Sequence, residues 1–498
     1  MKAEEEKRAF KEVYPVNPPF ALAGIEEYKG RLRYVVIEPI LTEEEKQILE
    51  KVKRILLEEI RVSPEDLREE EKIRKLVRDK VYEIVKNYKF KLTEEQINKI
   101  TYYIIRDSLG YGKIDVLIRD PNIEDISVDG ANIPIYVWHR MYENLPTTIV
   151  LNENELRSLI SRLSYRVGKQ VTVSRPILDG LLPEGYRVHI ALSQISLRGG
   201  SLSIRKFAET PFTIIDLIRF GTISTEMAAY FWTLLEHLRS IMVCGATAAG
   251  KTTLLNAISM LIHPDAKIIT IEESRELRLP HENWVPLVTR PALQEGMEEI
   301  TLFDLLKSAM RQRPDYVVVG EIRGEEAYTF FQAIATGHSG LCSIHADSIE
   351  AAIKRLMTKP MNVPLLLVPM MNTLVLISRV KIDNKIVRRV VRITEIEGVE
   401  EKGEWVKLNE VFTWTGADED RFEYSGRSYM IKKISEIKHI PEEVIEAELR
   451  DKNLIIRWMV NRGLRRYENV ASIIEEYYRN RTSLLRRVKI EATYYGIK

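Results

Sequence analysis

The stretch CGATAAGKTTLLNAIS, Cys244 to Ser259, constrains this chain more than any other. Gly245 is followed by Ala246, Thr247, Ala248 and Ala249, then by Gly250, Lys251, Thr252 and Thr253. A glycine-bounded loop of this spacing wraps bare backbone N–H groups around phosphate oxygens. Its lysine supplies a point charge for the outer phosphates, and its Ser/Thr hydroxyl a ligand for Mg²⁺. Chance would produce the pattern in roughly 1–2% of chains this long, and here the flanks agree with it. The apolar SIMVC before it reads as a buried strand and TTLLNAIS after it as a helix whose positive end faces the loop. The expectation is a nucleotide site for ATP with Mg²⁺ on a buried parallel sheet.

The surrounding pattern supports such a sheet. From about 225 onward SIMVC, AKIITI, DYVVVG, GLCSIH and TLVLIS are short, β-branched runs separated by helical stretches such as TLFDLLKSAMR and EEAYTFFQAIAT. That order predicts an open α/β domain over 225–498 with a β and helical extension at its end. Residues 91–206 mix a helix with strand-like runs and read as a smaller α+β domain. A linker is expected at 207–224. Residues 1–90 are expected to be a helical region, because Ile48, Leu49, Val52, Ile55, Leu56 and Ile60, then Ile73, Leu76, Val77, Val81, Ile84 and Val85, recur at helical spacing. Ser63 and Pro64 would cap and open the second of these helices.

Composition removes several function classes. With 74 Lys plus Arg against 73 Asp plus Glu, the chain carries a net charge of +1 and no general attraction to nucleic acid or anionic lipid. Its two cysteines are too few for a disulfide framework or a four-cysteine zinc module, which suits a reducing cytoplasm. No apolar run approaches the roughly 20 residues that span a bilayer, so a soluble protein, at most docked on a membrane, is expected.

Hydrolysis needs more than a phosphate loop: carboxylates for metal and water, and cations for the developing charge. Glu321 ends the strand DYVVVG, at the carboxyl end where open α/β sheets bind ligands. The run TIEESREL offers Glu272, Glu273 and Glu276, one of which could serve as general base, although acids at a helix start also favour the macrodipole. His338 and His345 bracket GLCSIH, with Cys342 between them. A zinc reading is tempting, but on a strand Cys342 and His345 point to opposite faces, whereas a histidine at a strand end could bond the terminal phosphate. Arg311, Arg313 and Arg323 flank the Glu321 strand, and Arg175, Arg187 and Arg205 lie in the preceding domain.

Taken together, GATAAGKT, TIEESREL, RPDYVVVGEIR and ATGHSGLCSIHAD resemble, in order and spacing, the Walker A, Asp box, Walker B and His box of the type II/IV secretion ATPase superfamily. The runs LGYGKIDVLIRDPNIEDISVDGANIPIYVWH and RKFAETPFTIIDLIRFGTIS look like its archaeal branch, which serves archaella and type IV pili. The resemblance implies a RecA-like P-loop ATPase domain behind a PAS-like α+β domain, and a homohexamer working at the cytoplasmic face of the membrane. Its partners would be a polytopic membrane platform protein and a pilin- or archaellin-type filament, without direct nucleic acid. Lys251 and Thr252 would hold phosphate and Mg²⁺, Glu321 would be the Walker B acid and Glu276 the water-activating base. His338 and His345 would form the His-box pair, and the arginines of the first domain would reach the phosphates. The box usually reads Glu-Asp where this chain has Glu272-Glu273, and the four-cysteine insert of many bacterial relatives is absent. The alternatives are a nucleotide-gated scaffold with little turnover and a DNA-handling conjugation ATPase.

Overall fold

The computed structural model describes residues 10–59, 70–206, 211–290, 298–383, 385–401 and 403–495. The chain divides into two units, 1–208 and 209–498.

The first unit opens with strands where a helical region was expected. Strands β1 (Phe10–Asn17), β2 (Ala21–Tyr28) and β3 (Arg31–Ile37) form an antiparallel meander. The β2–β3 turn carries positive φ at Lys29 (52°) and Gly30 (73°), the two-residue geometry that matches strand twist. The expected helices follow as α1 (Glu43–Glu59) and α2 (Glu70–Asn87), with Ile48, Val52, Val77, Val81 and Ile84 buried between them and α3 (Glu94–Ser108). The proposed cap at Ser63 and Pro64 lies outside the described residues. After the short α4 (Asp115–Arg119) come β4 (Ile123–Val128), β5 (Pro134–His139), β6 (Glu143–Val150), α5 (Glu153–Val167), β7 (Ile177–Leu181), β8 (Arg187–Ala191) and β9 (Ser201–Arg205). The nine strands run β1-β2-β3-β6-β5-β4-β9-β8-β7. The meander is fastened to the rest by Asp120, fully buried, whose Oδ2 accepts the hydroxyls of Tyr14 at 2.7 Å and Tyr34 at 2.6 Å. Both phenol pKa values are pushed far up, chiefly by burial and then by the Asp120 charge, so the two hydroxyls remain donors.

The second unit begins earlier than the expected linker allows. Residues 207–210 lie outside the described set, but α6 (Ile214–Arg219) buries Ile214, Ile215 and Leu217 in this unit's core. Thr213 and Asp216 close its first turn as a capping box. Then follow α7 (Thr225–Glu236), β10 (Ile241–Gly245), α8 (Lys251–Ser259), β11 (Ile268–Glu272), β12 (Trp284–Val288), α9 (Leu302–Met310), β13 (Tyr316–Val319), α10 (Glu326–Ala335), β14 (Ser339–His345) and α11 (Ile349–Met357). Strands β15 (Thr373–Ile382), β16 (Lys385–Val399), β17 (Val406–Trp414) and β18 (Phe422–Tyr424) precede α12 (Tyr429–Lys438), α13 (Glu442–Asn461) and α14 (Tyr467–Tyr495).

The sheet order is β12-β11-β13-β14-β10-β15-β16-β17-β18, parallel as far as β15 and antiparallel beyond. Alternation along β10 shows both faces covered: Ile241 and Val243 pack with α6, α7, α8 and the terminal helices, while Met242 and Cys244 pack with α9, α10 and α11. Strand β10 lies between β14 and β15, whereas the next strand in sequence, β11, lies beyond β14 and β13. The chain therefore leaves β10 at a topological switch point, where α/β sheets open a crevice at their carboxyl edge. Among the described residues, no helix is long and apolar enough to cross a membrane.

Candidate nucleotide site

The glycine-bounded loop starts where β10 ends. Gly245 has no room for a side chain, because a Cβ there would stand 2.6 Å from the Ile377 carbonyl oxygen of β15. At the far end of the loop, Gly250 takes φ +96° and turns the chain into α8, which starts at Lys251 without any side-chain cap. The first N–H groups of that helix are left for an anion. Between the two glycines Ala246, Thr247 and Ala248 are exposed and Ala249 is buried, with Ala248 left-handed at φ 60°.

Lys251 is buried, with its ammonium 3.3 Å from the Ala246 carbonyl. Burial lowers its pKa, while the carboxylates of Glu321 and Glu276 oppose that shift and the Arg355 guanidinium adds to it. The lysine, Glu321 and Glu276 all follow the carboxyl ends of parallel strands, β10, β13 and β11, and so stand at one edge of the sheet. Glu321 follows β13, and both Glu321 and Glu276 are exposed. Thr252 and Thr253 are half-buried on the first turn of α8. A donor set of one lysine, a hydroxyl and exposed carboxylates fits a magnesium–triphosphate: Thr252 and Glu321 would hold the ion through the nucleotide.

Glu272 plays a different part from its neighbours. It ends β11 and is 3% exposed, and its Oε1 accepts the backbone N–H groups of Glu276 and Leu277, both at 3.0 Å. The other oxygen is buried without a partner. Burial pushes its pKa up to about 7 against the pull of those two N–H donors. Glu272 therefore positions the loop that carries Glu276. Glu273 is exposed and forms an ion pair with Arg323.

Three expected members stand elsewhere in this unit. His345 pairs in register with Gly245, beside the phosphate loop, but His338 precedes the first residue of the same strand. Seven residues of strand span about 20 Å, and the His338 Nδ1 and backbone N–H both meet the Ala333 carbonyl at the end of α10. Arg311 caps the carboxyl end of α9 and Arg313 follows it, both at the amino end of β13 and so at the edge of the sheet opposite the glycine-bounded loop. The reason is common to all three: a helix returning along a parallel sheet delivers its carboxyl end to the amino edge of the next strand. Within the chain, the histidine pair and the Arg311–Glu321 grouping are therefore not brought together.

In the first unit Arg187 and Arg205 are directly opposite each other on β8 and β9, on the face turned away from the buried Val188, Ile190, Leu202 and Ile204. The Arg205 Nε donates to Asp125 at 2.9 Å, and Arg175 is exposed just before β7.

Sequence reading missed Arg355 and Glu326. From α11, Arg355 donates to the His345 carbonyl at 2.6 Å and so braces the strand end beside the loop. Glu326 accepts the N–H groups of Arg323 and Gly324 at 2.7 and 2.8 Å and shapes the turn after Glu321. Neither carries a spacing signal, because each acts on backbone reached only through the fold. The zinc reading also fails on geometry, since Cys342 faces the α9–α11 side, fully buried among apolar side chains. Among the described residues, Glu236, His237 and Glu448 form a group of metal-ligand spacing, but Lys452 already pairs with Glu236 and Arg481 with Glu448.

The model for type II/IV secretion system proteins matches residues 122–479. The uncharacterized protein MJ0900 of Methanocaldococcus jannaschii is 38% identical over 495 residues, covering 94% of this chain and 88% of its own. The type IV secretion system protein PtlH of Bordetella pertussis is 31% identical over 266 residues, 48% of this chain and 78% of its own. Among solved structures, the VirB11 ATPase of the Brucella suis type IV secretion system, in complex with sulphate, shares 26% identity over 55% of this chain and 89% of that one, with a TM-score of 0.29. With most of its length matched, this chain belongs to the type II/IV secretion system protein family.

Proposed function

We propose that this chain is a P-loop ATPase that hydrolyses ATP with Mg²⁺ to drive a filament-assembling or secretion machine at the cytoplasmic face of the membrane. The observation that carries the reading is that an uncapped helix terminus, the buried Lys251 and the carboxylates Glu321 and Glu276 all stand at the carboxyl edge of the parallel strands β10, β13 and β11. The helix terminus and Lys251 hold the phosphates. Glu321 and Thr252 would hold the metal, which when bound would supply charge neutralisation of the outer phosphates. Glu276, on a loop fixed by Glu272, takes the proton of the attacking water. His345, in register with Gly245, would bond the terminal phosphate.

The working form is a homohexamer, with Arg175, Arg187 and Arg205 as the cationic set of the first unit. His338 and Arg311, far from the phosphates within one chain, would act only across a subunit boundary. The partners are a multi-spanning platform protein and a pilin-like filament. The identity to a Methanocaldococcus jannaschii protein over nearly the whole chain favours the archaeal form of such a machine.

Phosphate release by the purified protein tests the reading. Lys251→Ala should abolish nucleotide binding. Glu276→Gln should keep binding while losing about 10²-fold or more in rate, and Glu321→Gln should lose rate and its dependence on Mg²⁺. Turnover unchanged in Glu321→Gln would remove the assignment, and binding without turnover in the assembled ring would leave a nucleotide-gated scaffold.

A further inference from the structure

The loop has a second basic neighbour, on the side of β10 away from the acids. Strand β13, which leads into Glu321, and strand β11, which ends in Glu272, lie on the β14 side of β10, whereas β15 and β16 lie on the other. Ile377 of β15 forms the wall against which Gly245 is pressed, and two residues further on Arg379 stands directly opposite Arg388 of β16. The Arg388 side chain leans across the loop. Its Nε donates to the Ala248 carbonyl at 3.3 Å, and its Cδ lies 3.1 Å from where a Cβ on Gly250 would be.

The adjacent arginine sets the contrast. Arg389 points to the opposite face, buried, with Nε and Nη2 each 2.7 Å from the two Asp420 oxygens and Nη1 3.0 Å from the Phe220 carbonyl. That is a structural guanidinium, matched by a carboxylate. Arg388 is half-exposed and rests instead on a neutral carbonyl, at the long end of the hydrogen-bond range, in a loop whose N–H groups form an anion cradle. A guanidinium gains far more from a phosphate than from a peptide carbonyl.

We propose that Arg388 is a second phosphate-binding cation of this site, which leaves the Ala248 carbonyl and closes on the phosphates of a bound nucleoside di- or triphosphate. Arg379 adds positive potential from across the hairpin. Because the acids stand on the far side of β10, Arg388 serves the nucleoside-proximal phosphates, which ADP and ATP share. It therefore acts on affinity more than on the chemical step. This rests on the nucleotide reading above.

The test uses full-length protein, titrated with fluorescent ADP and ATP analogues, in wild type, Arg388→Ala, Arg388→Lys and Lys251→Ala, with melting temperatures as a check on folding. Arg388→Ala should weaken ADP and ATP alike by about tenfold and lower the salt dependence of binding. KM should rise by a similar factor with a smaller change in kcat, and Arg388→Lys should recover part of the loss. Should Arg388→Ala fold poorly, Arg388→Gln carries the same comparison. If Lys251→Ala loses binding while the Arg388 variants bind ADP within about twofold of wild type, Arg388 is no phosphate ligand and the proposal falls alone. If wild type binds neither nucleotide, the proposal falls together with the reading on which it rests.

Discussion

Replacing Glu272 by glutamine isolates one charge in the middle of the site. The carboxyl is buried at the end of β11, holds two backbone N–H groups through one oxygen, and leaves the other oxygen without a partner. Burial lifts its pKa from the ordinary 4.5 to about 7, so the folded protein binds a proton that the unfolded chain has released. That contribution to stability is fully present below pH 4.5 and is lost as the pH rises through 7. At about 1.4 kcal/mol for each pH unit between the two values, the loss comes to about 3 kcal/mol. Glutamine keeps the accepting oxygen and never ionises. Thermal unfolding of wild type and Glu272→Gln, followed side by side from about pH 5 to pH 8, should show the variant gaining on wild type through this range. The gain should reach several degrees and level off above about pH 7.5. The absolute offset at the acid end reports the orphaned amide, and only the change with pH reports the charge. Two melting curves that keep a constant separation across the range would mean that Glu272 ionises freely, and the account of it as a buried positioning group would be wrong.

Gly245→Ala should cost both stability and nucleotide binding, because the new Cβ meets the Ile377 carbonyl at 2.6 Å and β10 or β15 must shift; a variant with wild-type ADP affinity would show the loop tolerates that shift. Lys452 is wholly buried beside Glu236 and also donates to Thr233 at 3.2 Å. Lys452→Ala should therefore destabilise the second unit by about 3 kcal/mol in denaturant titration, and the Lys452→Met, Glu236→Gln pair should restore most of it. No recovery in the double variant would place the loss in packing and not in the stranded carboxylate.

Some placements were legible from the chain and others, those of Arg388 and Glu272 among them, were not. The phosphate loop, the strand-end Glu321 and the β-branched strands are local statements, since glycine spacing, alternation and helix period act over a few neighbouring residues. The helices at 43–59 and 70–87 were legible for the same reason. The opening meander carried a signal too, a Lys29-Gly30 turn between alternating runs, but three short strands ahead of strong helices were read through as part of a helical region. The capping box Thr213-x-x-Asp216 likewise sat inside what looked like a linker.

The order of residues alone thus determined that a nucleotide-type loop sits on a buried parallel sheet, with acids available at strand ends. Only the tertiary structure decided which of those groups share an edge. Strand direction sends His345 to the loop and His338 away from it, and burial turns Glu272 from a candidate base into a support for Glu276. The return of the hairpin past β15 brings Arg388 onto the same loop, against Ala248, which stands 140 positions earlier in the chain. Spacing along a chain fixes what a short segment can become, but proximity between segments comes from how the sheet is ordered, and no local pattern encodes that order.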